Sequence, residues 1–200
     1  VGQKRNKLAV VERVPVGVVL CIPPFNYPIN LCGSKIGPAL IAGNAVVIKT
    51  PTQGAVSTLH LGAAFKIAGA PPGLVNVVTG KGSEIGDYLV QHPGANLISF
   101  TGGSTGIDVS KKAGMVPLQM ELGGKDACIV LPDADLELAS TAIVKGGFSY
   151  SGQRCTAVKI VFATAEIADA LMEKVLVKLA KLTVGHPEDN VDITAVINRK

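Results

Sequence analysis

The residues most able to do chemistry lie at 151–156, where SGQRCT follows an apolar, helix-like run. Cys155 comes directly after Arg154 in a glycine-containing turn, and Lys159 follows four residues later. Cationic neighbours and helix ends can lower the pKa of a thiol and raise its thiolate fraction, which makes it a nucleophile. Most cysteines are small core residues, so an inert thiol is the alternative that the rest of the sequence has to exclude.

The elements that must position this thiol alternate between strand-like and helix-like segments. Apolar, β-branched runs at 16–22, 45–49, 74–78 and 97–101 are each followed by a segment with helical spacing. This series predicts an α/β fold, a Rossmann-like open parallel sheet with helices on both faces. Because such sheets bind ligands outside the carboxyl ends of their strands, the residues directly after each strand are the candidates for a site.

The pattern changes after residue 117, where two strands flank a Gly-Gly turn and precede a long helix that Asp135 is expected to cap. We therefore predict a nucleotide-cofactor-binding domain at 1–122 and the beginning of an α/β catalytic domain at 123–200. Because the sequence starts at Val1 without an initiator Met, we expect it to be a fragment of a longer enzyme.

Composition argues against several other classes of protein. Charged residues are 17% of the chain, aromatic residues are 4%, and the net charge is +4, with one dense basic patch at 4–7. This pattern is typical of a solvated surface rather than of a nucleic-acid-binding face, and no apolar run has the length of a membrane span. The four cysteines show no CxxC spacing, which argues against a zinc site or a disulfide framework and favours a reducing, cytoplasmic environment.

The first two strand ends carry polar residues of different kinds. Asn26 lies in the sequence PFNYP at 24–28, where it could aim its amide at a developing oxyanion or simply form an Asx-turn. Lys49 ends the second strand, and Thr50 and Thr52 follow it. A cation and hydroxyls without a carboxylate suit a ribose 2′-phosphate, although a lysine snorkelling from a strand end is the alternative.

The third and fourth strand ends are rich in glycine and hydroxyl groups, TGKGS at 79–83 and TGGSTG at 101–106. Each opens a helix, and backbone amides at a helix start can cradle a phosphate. We expect the two loops to stand on adjacent strands of the sheet and to act together. Two tight turns with no ligand are the alternative.

Acid–base partners for the thiol are few. Glu121 follows a strand and precedes paired glycines, so it could approach a ligand as a general base or remain a solvated strand-end charge. A Cys–His acyl-transfer enzyme would need a histidine near these motifs. His60, His92 and His186 do not follow a strand end near them, which disfavours that class.

Five motifs occur together and in order: PFNYP at 24–28, KTPT at 49–52, FTGG at 100–103, ELGGK at 121–125 and GQRC at 152–155. Together they resemble the aldehyde dehydrogenase superfamily, and the resemblance covers essentially the whole chain. The sequences around the third strand end and around the cysteine are similar to those of one branch of this superfamily. Members of that non-phosphorylating, NADP-dependent branch oxidise glyceraldehyde 3-phosphate.

The resemblance implies a role for each matching residue. The catalytic residues it implies are Cys155 as nucleophile, Glu121 as general base and Asn26 as side-chain oxyanion donor. The cofactor-binding residues it implies are Lys49, Thr52, Gly80, Gly102, Gly103 and Leu122. The substrate-binding residues it implies are Tyr27, Arg154 and Thr156. Thr52 stands where NAD-preferring members often carry Glu, which favours NADP over NAD, and Gly103 stands where many members carry Ser.

The function implied is oxidation of glyceraldehyde 3-phosphate to 3-phosphoglycerate with NADP, through a thiohemiacetal and a thioester on the cysteine. No metal is required, and the resemblance implies a cytoplasmic homotetramer that works in glycolysis. Two alternatives stay open: another branch of the superfamily, such as a semialdehyde-specific one, and a nucleotide-binding fragment that lacks a complete catalytic site.

Overall fold

A computed structural model describes residues 8–199 and divides the chain into two compact units, Val1–Glu121 and Leu122–Lys200. The division lies one residue before the predicted boundary, which followed Leu122. The basic patch at 4–7 lies outside the described residues.

Within the described residues, the first unit alternates five strands with four helices. The strands are β1 (Val18–Ile22), β2 (Ala45–Lys49), β3 (Val75–Val78), β4 (Leu97–Thr101) and β5 (Leu118–Glu121). The helices are α1 (Asn30–Ile41), α2 (Ala55–Ile67), α3 (Gly82–Val90) and α4 (Thr105–Lys112). Every strand pair is parallel and the order is β3-β2-β1-β4-β5, which confirms the Rossmann-like prediction.

The core of this unit lies on both faces of the sheet because successive strand residues point to opposite sides. Val19 and Cys21 of β1 pack with buried residues of α1 and with partly buried side chains of α2. Leu20, between them, packs instead with α3 and α4, where Val90 and Val109 are buried. Strands buried on both faces read as nearly continuous apolar runs, which is the pattern that the sequence shows.

A glycine just after a helix is a common sequence signal for the helix end, and the sequence has one at Gly43, after the helix-like segment at 31–42. Helix α1 gives way to Gly43 at φ 85°, a conformation that glycine adopts without strain. The buried Asn44 then accepts hydrogen bonds from the backbone N–H groups of Val16 and Gly17, at 2.7 and 2.9 Å. Its amide donates to the Ala39 carbonyl at 3.0 Å, so this asparagine ties the end of α1 to the start of β1.

The expectation that the two glycine loops stand on adjacent strands is wrong, because β2 and β1 lie between β3 and β4. The two helices that follow these strands nevertheless pack on the same face of the sheet, since the chain crosses over from β3 through α3 to β4. The first residues of α3 and the loop after β4 therefore reach one cavity by a different route from the one expected.

The second unit contains a two-stranded parallel sheet, β6 (Asp126–Val130) and β7 (Val158–Ala163), with helices α5 (Leu136–Phe148) and α6 (Ala165–Leu179). Asp135 caps α5 as predicted, accepting from the backbone N–H groups of Glu137 and Leu138. Val130, Ile143 and Leu171 form the core between strand and helices. The longest helix among residues 8–199 is α6, with 15 residues, and none in that range has the length and apolarity to cross a bilayer.

Candidate active site

A cavity of about 370 Å³ lies at the carboxyl ends of the strands in the first unit. Its walls come from the ends of β1, β2 and β4, the loop after β4, and residues along the whole length of α3 and α4. The predicted cofactor residues in its lining are Lys49, Gly102 and Gly103. Thr52, Gly80 and Leu122 are outside this lining, so the structure brings together half of the predicted cofactor set.

Gly102 is required by packing, whereas Gly103 is not. A Cβ on Gly102 would lie 2.7 and 2.9 Å from ring atoms of Phe100, which is closer than real Cβ contacts. A Cβ on Gly103 would meet nothing within 4 Å, and this glycine has no positive φ. The serine that many relatives are expected to carry at position 103 would therefore fit without disturbing the loop.

Lys49 is a buried cation, with 7% of its surface exposed. No hydrogen bond or ion pair from residues 8–199 reaches its ammonium, and burial lowers its pKa from the ordinary lysine value. The adjacent Thr50 is 1% exposed, and its hydroxyl oxygen is buried without a partner in the same part of the chain. The Lys49 ammonium lines the cavity and fits a ligand that carries negative charge, whereas Thr50 is outside the cavity lining. Thr52 is exposed.

Lys35, on α1, is a functional candidate that the sequence reading missed. Its ammonium donates to the Thr101 hydroxyl at 2.5 Å, at the start of the glycine loop after β4. Burial lowers the pKa of Lys35, and the thiols of Cys21 and Cys32 and the carboxylate of Glu121 act in the opposite direction.

A sequence signal for Lys35 was present. The buried residues of α1 are Cys32, Ile36 and Ala39, and Lys35 stands three residues after the first and four before the last. It therefore interrupts an apolar stripe, where a lysine needs a reason to be buried.

The other candidates of the first unit lie at the remaining strand ends. Asn26 and Tyr27 are half-buried in the bend between β1 and α1, and the Tyr27 carbonyl accepts from the N–H of Leu31 at 2.9 Å. Glu121 is the exposed last residue of β5, and its carbonyl accepts from the N–H of Gly102 at 2.9 Å. The backbone of the predicted base is thus bonded to the glycine loop of the cavity.

The cysteine loop, residues 149–157, follows α5 in the second unit and has an unusual backbone. Tyr150 and Ser151 have φ of 57° and 55°, a left-handed conformation that residues other than glycine seldom adopt. The Ser151 hydroxyl donates to the Thr194 carbonyl at 2.9 Å and accepts from the Thr194 N–H at 3.1 Å. Such conformations persist where the surrounding structure holds them, and this paired contact supplies that restraint.

Further bonds fix the rest of the cysteine loop. The side-chain oxygen of Gln153 accepts from the Ile197 N–H at 2.8 Å. The Lys159 ammonium donates to the carbonyl of Cys155 at 2.6 Å. Cys155 itself is half-buried, so its thiol is neither sealed in a core nor fully in solvent.

Arg154 and Thr156 flank the cysteine in different environments. One guanidinium nitrogen of Arg154 donates to the Gly146 carbonyl in the last turn of α5 at 2.9 Å, while its Nε is buried without a partner among residues 8–199. Thr156 is exposed. The Arg154 guanidinium thus has one nitrogen hydrogen-bonded to the protein and another, Nε, that has no hydrogen-bond partner among residues 8–199.

Across residues 8–199, no group of three or more His, Cys, Asp and Glu side chains is arranged to hold a metal ion. The buried Cys21 and Cys32 are poor nucleophiles, because burial raises the pKa of their thiols to about 12 and about 11. Reactive thiols need thiolate character and access, which these two lack.

The sequence profile of the Aldehyde dehydrogenase family matches residues 1–200. The chain therefore belongs to this family, whose solved members share its parallel sheet and helices.

Within the family, the chain is 70% identical over 196 residues to the NADP-dependent glyceraldehyde-3-phosphate dehydrogenase of Zea mays, covering 98% of this chain and 39% of that protein. It is 57% identical over 197 residues to the enzyme of the same name from Streptococcus equinus, covering 98% and 41%.

Among solved structures, the chain is similar to the NADP-dependent glyceraldehyde-3-phosphate dehydrogenase from Bacillus halodurans C-125, determined in complex with NADP. The TM-score is 0.90 and the identity is 56%, over 94% of this chain and 40% of that one. The chain thus spans about two-fifths of the length of these relatives.

Proposed function

We propose that the full-length enzyme oxidises glyceraldehyde 3-phosphate to 3-phosphoglycerate with NADP and without inorganic phosphate. The observation that carries this proposal is the ammonium of Lys49, which ends a largely buried side chain and lines the strand-end cavity without a polar partner among residues 8–199. A buried charge is costly unless it is paired, and a ligand phosphate would pair it. The 70% identity to a relative of this name supports the same conclusion.

The choice of NADP over NAD follows from the chemistry around Lys49. The ribose-reading strand end carries one ammonium and the hydroxyls of Thr50 and Thr52, and it carries no carboxylate. A carboxylate there would accept from a 2′-hydroxyl and repel a 2′-phosphate.

The proposed reaction follows from the roles that the family resemblance assigns to Cys155, Asn26 and Glu121. The Cys155 thiolate attacks the aldehyde carbon, and the resulting oxyanion is held by the amide of Asn26 and the backbone N–H of Cys155. Bound NADP supplies a hydride acceptor. The thiohemiacetal on Cys155 becomes a thioester, and Glu121 takes a proton from the water that attacks it, which releases the acid.

Recognition of the phosphorylated aldehyde is assigned to Tyr27, Arg154 and Thr156. Arg154 is the best supported of the three, because its Nε is buried without a partner among residues 8–199 while its Nη2 is anchored on Gly146. An anchored guanidinium can present its remaining donors to a phosphate in a fixed geometry.

We also propose that the enzyme works in glycolysis as a cytoplasmic homotetramer. Support for the compartment is chemical: all four cysteines are free thiols, as expected in a reducing environment. Sedimentation of the full-length enzyme would test the tetramer, and a dimeric or monomeric species would contradict it.

The decisive test is an assay of the full-length enzyme with glyceraldehyde 3-phosphate and NADP in phosphate-free buffer. We expect turnover that does not increase when inorganic phosphate is added. A semialdehyde without a phosphate group and NAD in place of NADP serve as comparisons. Faster turnover of the semialdehyde would move the enzyme to another branch of the family, and failure to oxidise any aldehyde would leave only a nucleotide-binding role.

A further inference from the structure

Lys159 lies in an irregular part of the second sheet. Asp126 of β6 pairs with Val158 of β7, but the next residue, Ala127, pairs with Ile160. Lys159 is therefore an extra residue with no partner in the register, which makes it a β-bulge. Bulges re-aim a side chain and occur often beside active sites, and they are rare in parallel pairs.

The re-aimed side chain turns back on the cysteine. The Lys159 ammonium donates to the Cys155 carbonyl at 2.6 Å, to the Ala157 carbonyl at 3.0 Å and to the Asp126 carboxylate at 3.0 Å. A lysine has three donors, and here each has an acceptor. Two of the three acceptors are backbone groups of the turn that carries the thiol.

An ordinary surface ion pair looks different in the same unit. Lys174 meets Glu137 at 3.1 Å, its side chain is 44% exposed, and it has no bond to the backbone of the cysteine loop. The Lys159 side chain is 25% exposed. Lys159 thus makes two hydrogen bonds to the backbone of the cysteine loop in addition to its ion pair with Asp126.

We propose that Lys159 is a positioning residue for the thiol and the backbone N–H of Cys155. By holding the Cys155 carbonyl it fixes the orientation of the residue whose thiol attacks and whose N–H receives the oxyanion; this inference rests on the proposed function. Asp126 orients the ammonium from the neighbouring strand. A misplacement of about 1 Å at a reacting group can cost a factor of about a hundred in rate.

The test compares Lys159→Met with Lys174→Met in the full-length enzyme, by rapid mixing with glyceraldehyde 3-phosphate and NADP. Both changes remove one lysine of one ion pair in the same unit. We expect Lys159→Met to slow the NADPH burst, which reports formation of the thioester, by about tenfold to a hundredfold. The KM for NADP and the melting temperature should stay close to those of Lys174→Met, whose burst should match the wild type. Lys159→Arg should recover part of the burst, because its guanidinium keeps the charge and donors in a different geometry.

Equal bursts in Lys159→Met and Lys174→Met would overturn the proposal, as would a burst that falls only in proportion to unfolded protein. If Lys159→Met does not fold, Asp126→Asn decides: a slower burst in the folded variant supports the role, and an unchanged burst overturns it. Failure of the proposed function gives a different result, because the wild type would then show no burst or Cys155→Ser would keep its turnover.

Discussion

At the strand ends of the first unit, the buried side chains of Lys49 and Thr50 have no polar partner from residues 8–199. In the second unit, Ser151 of the cysteine loop and Lys159 just after it bond to neighbouring backbone groups, although Nε of Arg154 has no partner from the same residues. Unsatisfied buried groups cost free energy until a ligand meets them. A loop whose polar groups are bonded internally is already ordered before any ligand arrives. This difference is what the proposed function would require, with the first unit completed by a ligand and the second presenting the nucleophile in a set geometry.

The strongest way to break this comparison is to remove the thiol. Cys155→Ser should lower aldehyde oxidation by about 10⁴-fold or more, because the covalent route is lost. Cofactor affinity should be unchanged, since the residues proposed to bind NADP lie at or after strand ends between Lys49 and Leu122, and Cys155 is not one of them. Steady-state turnover and NADP titration of the same preparation are the measurements, and retained turnover would refute the assignment of Cys155.

The next change separates the two halves of the reaction. In Glu121→Gln, thioester formation should persist as a single burst of NADPH, while steady-state turnover falls by about 10²- to 10⁴-fold because water is no longer activated. Rapid mixing followed by steady-state assay checks both phases. Unchanged steady-state turnover would show that another group serves as the base.

Cofactor choice should respond to one side chain. Thr52→Glu places a carboxylate beside the proposed site for the 2′-phosphate. This phosphate carries close to two negative charges and would be repelled. Charge-assisted contacts contribute about 1.5–3 kcal/mol, so the preference for NADP over NAD should erode by about one to two decades or reverse. Side-by-side titrations test this. Equal affinities of the wild type for both cofactors would show that this strand end does not read the 2′-phosphate.

Lys49→Met should bind NADP more weakly than the wild type and should be more stable against unfolding. Burial lowers the pKa of Lys49 in the folded state, so below the ordinary lysine pKa of 10.5 the unfolded state binds the proton more tightly. Without cofactor, the variant should be more stable at neutral pH by at most about 1 kcal/mol, because solvent in the cavity screens the ammonium, and this gain should shrink as the pH rises towards that value.

Denaturant unfolding at several pH values measures the gain for Lys49→Met, and NADP affinity should fall in the same variant. Lys66→Met, at an exposed lysine of α2, is the control and should stay within about 0.5 kcal/mol of the wild type. A destabilised Lys49→Met would mean that the ammonium is paired within the protein.

The smallest expected effect comes from removing a single hydroxyl group at Thr50. Thr50→Val keeps the shape of the side chain and removes its unpartnered hydroxyl, so the free energy of unfolding should rise by about 1 kcal/mol. Thermal unfolding without cofactor measures this. A parallel loss of NADP affinity would identify the hydroxyl as a ligand contact, and a loss of stability would show that it has a partner within the protein.

The sequence was sufficient for features that depend on nearby residues. Apolar runs located the strands, Gly43 and Asp135 marked helix ends, and motif spacing placed Cys155 in a loop after a helix. The sequence did not predict contacts between residues that are far apart along the chain. The bond from Lys35 to Thr101 spans 66 positions and the one from Ser151 to Thr194 spans 43, and both depend on how packed elements meet.

The strand order was also beyond the sequence, since alternation of strands and helices predicts a parallel sheet without saying which strands are neighbours. The glycine loops were therefore assigned to adjacent strands, while β2 and β1 stand between them. The left-handed Tyr150 and Ser151 had no local signal either, because neither is a residue that favours this conformation.

The strand order β3-β2-β1-β4-β5 also sets the distance between two residues that are proposed to have different roles. Lys49 ends β2 and Glu121 ends β5, so three strand spacings, about 14 Å, separate the two backbone positions. A charge introduced at the exposed Thr52, beside the first of these positions, would face solvent as Glu121 does, and charges that face solvent are largely screened beyond the Debye length of about 8 Å at physiological ionic strength. If Lys49 and Glu121 have the roles proposed for them, mutation at one end of the sheet would retune which dinucleotide is accepted while the acid–base chemistry at the other end is left alone, and the two properties could evolve independently.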